Sequence, residues 1–214
     1  MNIARRVIHG ADGHRSRFHT YAGDVPHASQ WFCDLPRAVG STLLLKLFGY
    51  RAARPWLGYR AVARLGALIQ PDWRILEFGS GMSTMWLAPL CREVVSVETS
   101  TEWASVVRGE LKKRGILNVT LLERSPEKSH DVAFGQFDLV IVDGGQRDLC
   151  MQTAVTAVKP GGWLFLDNSD VPWAGHPEAR STLVAASNPG TTETFANFCP
   201  FMVQACESIL GQNS

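Results

Sequence analysis

The five cysteines, Cys33, Cys91, Cys150, Cys199 and Cys206, form no C-x-x-C pair and follow no regular spacing. That excludes a zinc ribbon and a disulfide framework of the small secreted kind. Reduced, mostly buried thiols in a cytoplasmic protein are the expectation. Charge of one sign is also lacking: 21 Lys and Arg oppose 20 Asp and Glu, a net of +1. A bulk polyanion such as nucleic acid is therefore not an expected partner. Long apolar runs are missing as well. The most apolar early run, Leu43-Leu44-Leu45-Lys46-Leu47-Phe48, is too short to cross a bilayer, and the N-terminus has no signal-peptide pattern, so no stable membrane insertion is expected. No internal repeat or low-complexity segment occurs, and nothing in the pattern bears on oligomeric state.

What is present is enough apolar material, 45% of 214 residues, to bury one core. Residues 1–70 read as an N-terminal arm and helical cap, and residues 71–214 as the main domain. Residues 1–25, rich in Arg, His, Gly and Asp without apolar periodicity, look like a mobile or loosely attached arm. The first 60 residues hold nine Arg and Lys against Asp12, Asp24 and Asp34. That bias fits a solvated basic face, an acidic substrate or a membrane surface. Residues 31–70 turn helical, with breaks expected at Pro36 and Pro55. Leu57, Ala61, Leu65 and Leu68 recur at the spacing of a helix laid against a sheet.

From residue 74 strands and helices alternate, the pattern of a doubly wound parallel α/β sheet. Strands are predicted at Arg74–Phe78, Glu93–Glu98, Val119–Glu123, Phe137–Val142 and 163–166. A helix opens at Thr99-Ser100-Thr101-Glu102, where Thr99 and Glu102 have capping-box spacing, and Gly115 ends it. Further helices fall near 148–158 and 177–186. Segments 192–198 and 201–210 have strand composition and are separated by Cys199-Pro200, which predicts an antiparallel pair at the sheet edge.

The stretch Glu77-Phe78-Gly79-Ser80-Gly81-Met82-Ser83-Thr84 carries the chemistry. A buried strand runs into a glycine turn and a helix start, and ligands of open α/β sheets bind at the carboxyl ends of strands. Glycine there lets the backbone bend tightly and a ligand approach it. A dinucleotide fingerprint wants a third glycine where Thr84 stands. Glu77 places an anion where a pyrophosphate would be repelled and a cationic ligand welcomed. Glu98 ends the second strand, the position from which a carboxylate accepts hydrogen bonds from ribose hydroxyls.

With Val95-Ser96-Val97-Glu98, Phe137-Asp138-Leu139-Val140-Ile141-Val142-Asp143-Gly144 and Val158-Lys159-Pro160-Gly161-Gly162-Trp163-Leu164-Phe165-Leu166-Asp167-Asn168 following in order, the chain resembles the class I S-adenosylmethionine-dependent methyltransferases. The resemblance implies a Rossmann-like, seven-stranded sheet of order 3-2-1-4-5-7-6, the last strand antiparallel, with helices on both faces. It also implies that Glu77 holds the methionyl ammonium, that Gly79, Ser80 and Gly81 pass under the ribose and methionyl portion, and that Glu98 binds the ribose. Ser83 and Thr84 either contact the cofactor carboxylate or cap the helix. Ser125 stands where many relatives have an acidic residue toward the adenine amino group, and Asp143 would lie below the sulfonium.

Asp143, Asp167 and Asn168 also resemble the metal site of catechol-type O-methyltransferases, and three hard oxygen ligands suit Mg²⁺. The other reading has Asp143 and Asp167 capping helices and orienting Arg147, which replaces the lysine of that pattern and is no base at neutral pH. Arg147 would then pair with Asp143 or receive an anionic substrate. His176 and Asp170 lie on the loop after strand five, His176 either as a general base or as a surface residue. Trp56 and Trp173 either wall an acceptor pocket or simply pack. Taken together, the expectation is methyl transfer from S-adenosylmethionine, with or without Mg²⁺, to oxygen of a small molecule or sugar. Its rivals are a nicotinamide-dependent oxidoreductase and a non-catalytic domain that keeps the fold as an interaction module.

Overall fold

The computed structural model describes residues 15–50, 54–132, 135–172 and 178–214. Seven strands form one sheet: β1 (Arg74–Phe78), β2 (Glu93–Glu98), β3 (Val119–Glu123), β4 (Phe137–Val142), β5 (Val158–Asp167), β6 (Glu193–Phe198) and β7 (Ala205–Gln212). Their order is β3-β2-β1-β4-β5-β7-β6. β7 runs antiparallel to β5 and β6, and the other pairings are parallel. The helices are α1 (Ala28–Phe48), α2 (Tyr59–Leu68), α3 (Met82–Leu87), α4 (Thr101–Arg114), α5 (Arg147–Ala157) and α6 (Ala179–Ala186).

Alternation along each strand sorts side chains between the two covers. Leu76, Phe78, Val95, Val97, Val140, Val142, Leu164 and Leu166 pack on one face under Cys150, Met151 and Ala154 of α5 and Leu183 of α6. Ile75, Val94, Leu139, Ile141, Phe165 and Leu210 pack on the other, under Leu57 and the α2 residues Ala61 and Leu65. Continuous apolar runs are what a strand covered on both faces requires, and β1 to β4 start and end where the sequence predicts.

β5 begins five residues earlier than expected. Pro160-Gly161-Gly162 lies inside it as a bulge: Phe137 pairs with Val158, yet Leu139 pairs with Trp163. Gly162 is required there, because a Cβ would meet the Val158 side chain at 2.8 Å and the Asp138 carbonyl at 3.0 Å. The bulge is held from the far side by the end of the chain, with Asn213 N–H donating to the Gly162 carbonyl at 2.8 Å. A glycine pair marks bulges as well as loops, which is why the strand read short.

Four other expectations are corrected. Pro36 sits inside α1 and does not break it; it forfeits only the bond to the Phe32 carbonyl, on an exposed side of the helix where water takes over. The α4 cap is Ser100, whose hydroxyl accepts the Trp103 N–H at 3.2 Å, not Thr99. Residues 15–25 are not loose: Ala205 N–H donates to the Arg17 carbonyl at 2.7 Å, and Phe18 packs between Trp31 and Phe198. The link between β6 and β7 is six residues, not two. Within it Phe201 stacks on Trp56 at 5.6 Å and its N–H donates to the Ser41 hydroxyl at 2.8 Å, which draws the segment out of the ladder.

The cysteine expectation also needs correction. Cys199 and Cys206 are joined by a disulfide, while Cys91 and Cys150 are buried thiols and Cys33 is exposed. The hairpin pairs Phe198 with Ala205 and Asn197 with Cys206, so Cys199, one residue past the last pair, meets Cys206 diagonally across the end of the ladder. Spacing alone does not reveal this without the register.

Leu65 anchors α2 in the core and is fully buried. Leu65→Ala is expected to destabilise the fold by about 2–5 kcal/mol, from lost burial plus the cavity left behind. Equilibrium urea unfolding checks this, with an unchanged midpoint as the contrary result.

Candidate active site

One residue beyond the row Val97–Phe78–Val142–Leu166, registered across β2, β1, β4 and β5, the sheet presents Glu98, Gly79, Asp143 and Asp167. This carboxyl edge is where the chain must turn away from the sheet. Two of the turns interlock: Asp143 N–H donates to the Phe78 carbonyl at 2.9 Å, and a Cβ on Gly79 would stand 2.9 Å from the Gly144 nitrogen. Gly79 also has φ +99°, so glycine is needed there on both counts. Above the turns lies a cavity of about 360 Å³, walled by residues 79–83, Glu98, Trp103, Ser129, Asp143 and Trp56. That volume is within the range of small-molecule sites.

Glu77 lies beneath this floor, wholly buried. Its Oε2 accepts the Thr84 hydroxyl at 2.5 Å and the Ser96 hydroxyl at 2.8 Å. Thr84 in turn accepts the Gly81 N–H at 2.9 Å. Thr84 therefore ties the turn to the buried carboxylate, and of the two roles open to it this is the capping one. Oε1 of Glu77 is buried without a hydrogen-bond partner. Burial pushes the carboxyl up to about 7, while the hydroxyls of Ser83, Thr84 and Ser96 pull it back and Asp143 pushes it up.

Glu98 is the carboxylate that faces the cavity. Oε1 accepts Thr99 and Ser100 N–H at 2.8 and 2.9 Å. Oε2 accepts the Ser80 N–H at 3.2 Å and its hydroxyl at 2.7 Å. Ser80 is held from its other side, where its carbonyl accepts the Trp103 indole N–H at 2.8 Å. Glu98 thus fastens the glycine turn of β1 to the turn that follows β2 at the cavity wall, while Glu77 holds the same turn from below without reaching the cavity.

On the other side of the cavity, Arg147 at the start of α5 reaches back to Asp143 at 3.0 Å and is nearly buried. Gln146 before it has φ +48°, the turn that brings the guanidinium inward. Burial raises the Asp143 carboxyl while Arg147 lowers it. Burial and the neighbouring Asp143 push Asp167 well above the carboxylate range. Asn168 donates an N–H to Asp167 Oδ2 at 2.8 Å, and Asp167 Oδ1 is buried without a hydrogen-bond partner.

This arrangement does not fit a divalent cation. A guanidinium already pairs with Asp143, burial and the neighbouring Asp143 favour the neutral form of Asp167, and Asn168 donates an N–H to it. Among the described residues no set of three His, Cys, Asp or Glu is placed to hold a metal ion. Of the other reading, in which Asp143 and Asp167 cap helices and orient Arg147, the structure shows the pairing of Asp143 with Arg147.

Ser125 is not in the cavity wall. It precedes the short turn Pro126–Lys128, whose Lys128 N–H bonds to the Ser125 carbonyl, and Ser129 lines the cavity in its place. Ser129 faces Cys150 at 3.8 Å, and nothing in the local sequence distinguishes it from the serine four residues earlier. Asp170 bonds the Ala22 N–H at 3.1 Å and so anchors the N-terminal segment. Trp56 does wall the cavity. His176 and Trp173 lie outside the described residues.

Comparison with known proteins agrees with this geometry. Residues 76–166, from β1 to the end of β5, match the family model of a methyltransferase domain. A curated relative, the protein-L-isoaspartate O-methyltransferase of Myxococcus xanthus (strain DK1622), is 33% identical over 105 residues, which cover 46% of this chain and 46% of that protein. The match therefore spans just under half the length of that relative. The O-methyltransferase TomG from Streptomyces achromogenes, involved in tomaymycin synthesis and solved with S-adenosylmethionine, shares the fold at TM-score 0.60 and 19% identity, over 83% of this chain and 89% of that one. An rRNA methylase from Streptococcus thermophilus shares it at TM-score 0.57 and 13% identity, over 73% and 96%. Residues 76–166 thus match a methyltransferase domain, set in a fold that these solved methyltransferases share.

Because the Glu77 carboxyl sits at about 7 in the fold against an ordinary 4.5, the unfolded chain releases that proton at lower pH. Its contribution to stability is complete below about 4.5 and is lost as pH rises through about 7. The unfolding temperature of the ligand-free protein is expected to fall across that window, and Glu77→Gln to flatten the fall. A variant profile as steep as the wild type's removes Glu77 as the source; Asp143 and Asp167, shifted the same way, account for any slope that stays.

Proposed function

We propose that the protein transfers the methyl group of S-adenosylmethionine to an oxygen of a small molecule or sugar. The observation that carries the cofactor assignment is Glu98 closing on Ser80 within the cavity. The ribose hydroxyls would take over the donor place that the Ser80 hydroxyl fills at Glu98 Oε2. The unpartnered Oε1 of Glu77 offers an acceptor beneath the turn for the methionyl ammonium, directly or through water. Ser83, on the cavity wall, is left for the cofactor carboxylate. Two acidic side chains and a dipeptide turn that repels no cation suit a sulfonium nucleoside better than a pyrophosphate, which weighs against the nicotinamide reading.

The chemistry is an in-line displacement. A lone pair of the acceptor oxygen forms the new bond to the methyl carbon, the carbon–sulfur bond breaks, and its electron pair stays on sulfur as a neutral thioether. Positioning and exclusion of water supply most of the acceleration. The acceptor hydroxyl must also give up a proton. Asp143, on the cavity wall, is the described carboxylate placed to take it, and Arg147 positions Asp143. His176 remains a second candidate on the loop after β5. The named relatives are a protein-L-isoaspartate O-methyltransferase, an O-methyltransferase of tomaymycin synthesis and an rRNA methylase, so the acceptor assignment rests on the cavity size and on the net charge of only +1.

Calorimetric titration with S-adenosylhomocysteine tests the cofactor assignment. Binding is expected, NAD is expected to give none, and Glu98→Ala is expected to weaken it by about 1–3 kcal/mol through lost charge-assisted hydrogen bonds. No heat at millimolar ligand would favour the non-catalytic module. Because Arg147 stands where a metal would, methyl transfer is expected to be unaffected by EDTA and not stimulated by added Mg²⁺; loss of turnover on chelation would restore the metal reading.

A further inference from the structure

Helix α1 leaves much of its apolar surface outside. Its inward face is mixed: Gln30, Asp34, Ala38 and Thr42 are buried, and Trp31 and Leu35 pack with Ala38 against Phe198 and Ala205. The reason is its seat on the edge strand β6. An edge strand offers unpaired backbone groups that must be covered, and the Gln30 amide donates to the Ala196 carbonyl at 2.9 Å. The outward face is left with the other apolar residues. Phe32 is 83% exposed, Leu47 69%, Phe48 76% and Leu43 52%, with Val39 and Leu44 also open. Tyr50, just beyond the helix, is exposed as well.

We propose that this face rests in the plane of an anionic lipid surface. Three observations select that occupant. The first is breadth. At 3.6 residues per turn and 1.5 Å per residue, the exposed apolar arc covers about half the helix circumference and runs about 24 Å from Phe32 to Phe48. The seam of a paired helix is narrower, whereas a broad arc suits a planar, deformable medium. The second is charge. Lys46 and Arg37 flank the arc. The only acidic residue of α1, Asp34, is turned inward and ion-paired with Arg37. The first 60 residues carry a net +6 and the remainder a net −5, so α1 belongs to the basic part of the sequence. The third is the placing of aromatic residues at both ends of the arc, where interfacial helices carry them. No helix among the described residues is long and apolar enough to cross a membrane, so the contact is in-plane and peripheral. It depends on neither the acceptor nor the reaction.

The test is co-sedimentation of the full chain with phosphatidylcholine vesicles and with vesicles that also contain phosphatidylglycerol, alongside light scattering of the protein alone. The anionic vesicles are expected to bind at least about tenfold more tightly than the neutral ones, as a few basic groups near the surface supply, and high salt is expected to weaken the binding. Leu43→Glu combined with Leu47→Glu changes only exposed positions. It is expected to abolish sedimentation while leaving the unfolding midpoint unchanged, and Lys46→Glu to reduce sedimentation severalfold. Equal binding to both vesicle types, or none to either, overturns the proposal. So does a wild-type dimer that the double variant converts to a monomer, since a second copy would then cover the face.

Discussion

The site depends on carboxylates kept at the edge of a parallel sheet with little water. A buried carboxylate is costly unless donors surround it, and the chain supplies them from elements far apart in sequence. Glu77 takes hydroxyls from Ser96 on β2 and Thr84 on α3. Glu98 takes two N–H groups from its own turn and two donors from Ser80. These bonds are also what shapes the glycine turn. Thr84 connects Gly81 to Glu77, and Ser80 connects the same turn to Glu98, so a three-residue loop with little side-chain mass is held at two points. A turn fixed in this way can present backbone to a ligand without ordering itself first, which lowers the entropic cost of binding.

The opposite wall solves a similar problem differently. Asp143 and Asp167 stand side by side on β4 and β5 and cannot both ionise at low cost. Burial favours the neutral form of both, more strongly for Asp167, and Arg147 opposes this at Asp143. Arg147 is carried by α5, and the αL turn at Gln146 is what aims it back over the sheet. An arginine cannot leave the site or exchange ligands as a metal can, and it gives no proton at neutral pH. Its contribution is confined to fixing the position and charge of Asp143. The demand for a proton acceptor then falls on the carboxylate itself and on the loop after β5.

Much of this was legible in the sequence where one physical rule acts alone. β1 to β4 are apolar runs ended by turn residues, and a strand covered on both faces leaves no other reading of them. Glu77, Gly79 and Glu98 were legible because the strand-end position and the φ requirement are local. Where two rules compete, the sequence misled. Pro36 counts as a helix breaker, yet the cost is one exposed bond. Gly161-Gly162 counts as a loop, yet tertiary pairing with Asn213 makes it a bulge. Thr99 and Ser100 are both competent caps, and the register of β2 decided for Ser100. Ser125 and Ser129 differ only in which side of a short turn they occupy. Cys199 and Cys206 became neighbours through a hairpin register that composition does not encode.

The same competition explains α1. A helix normally turns its apolar stripe toward the core, and the run Leu43-Leu44-Leu45-Lys46-Leu47-Phe48 invited that reading. The element it packs against is the rim of a sheet, which offers open backbone groups beside the apolar Phe198 and Ala205. A polar side chain satisfies an open group there where a leucine could not, as the Gln30 amide on the Ala196 carbonyl demonstrates. Once the polar side is committed to the sheet edge, the apolar side has no partner within the described chain. The segment after α1 then carries Trp56 to the cavity wall, where it stacks on Phe201. Edge protection, the outward apolar face and one wall of the cavity are thus consequences of a single choice of what the N-terminal helix covers.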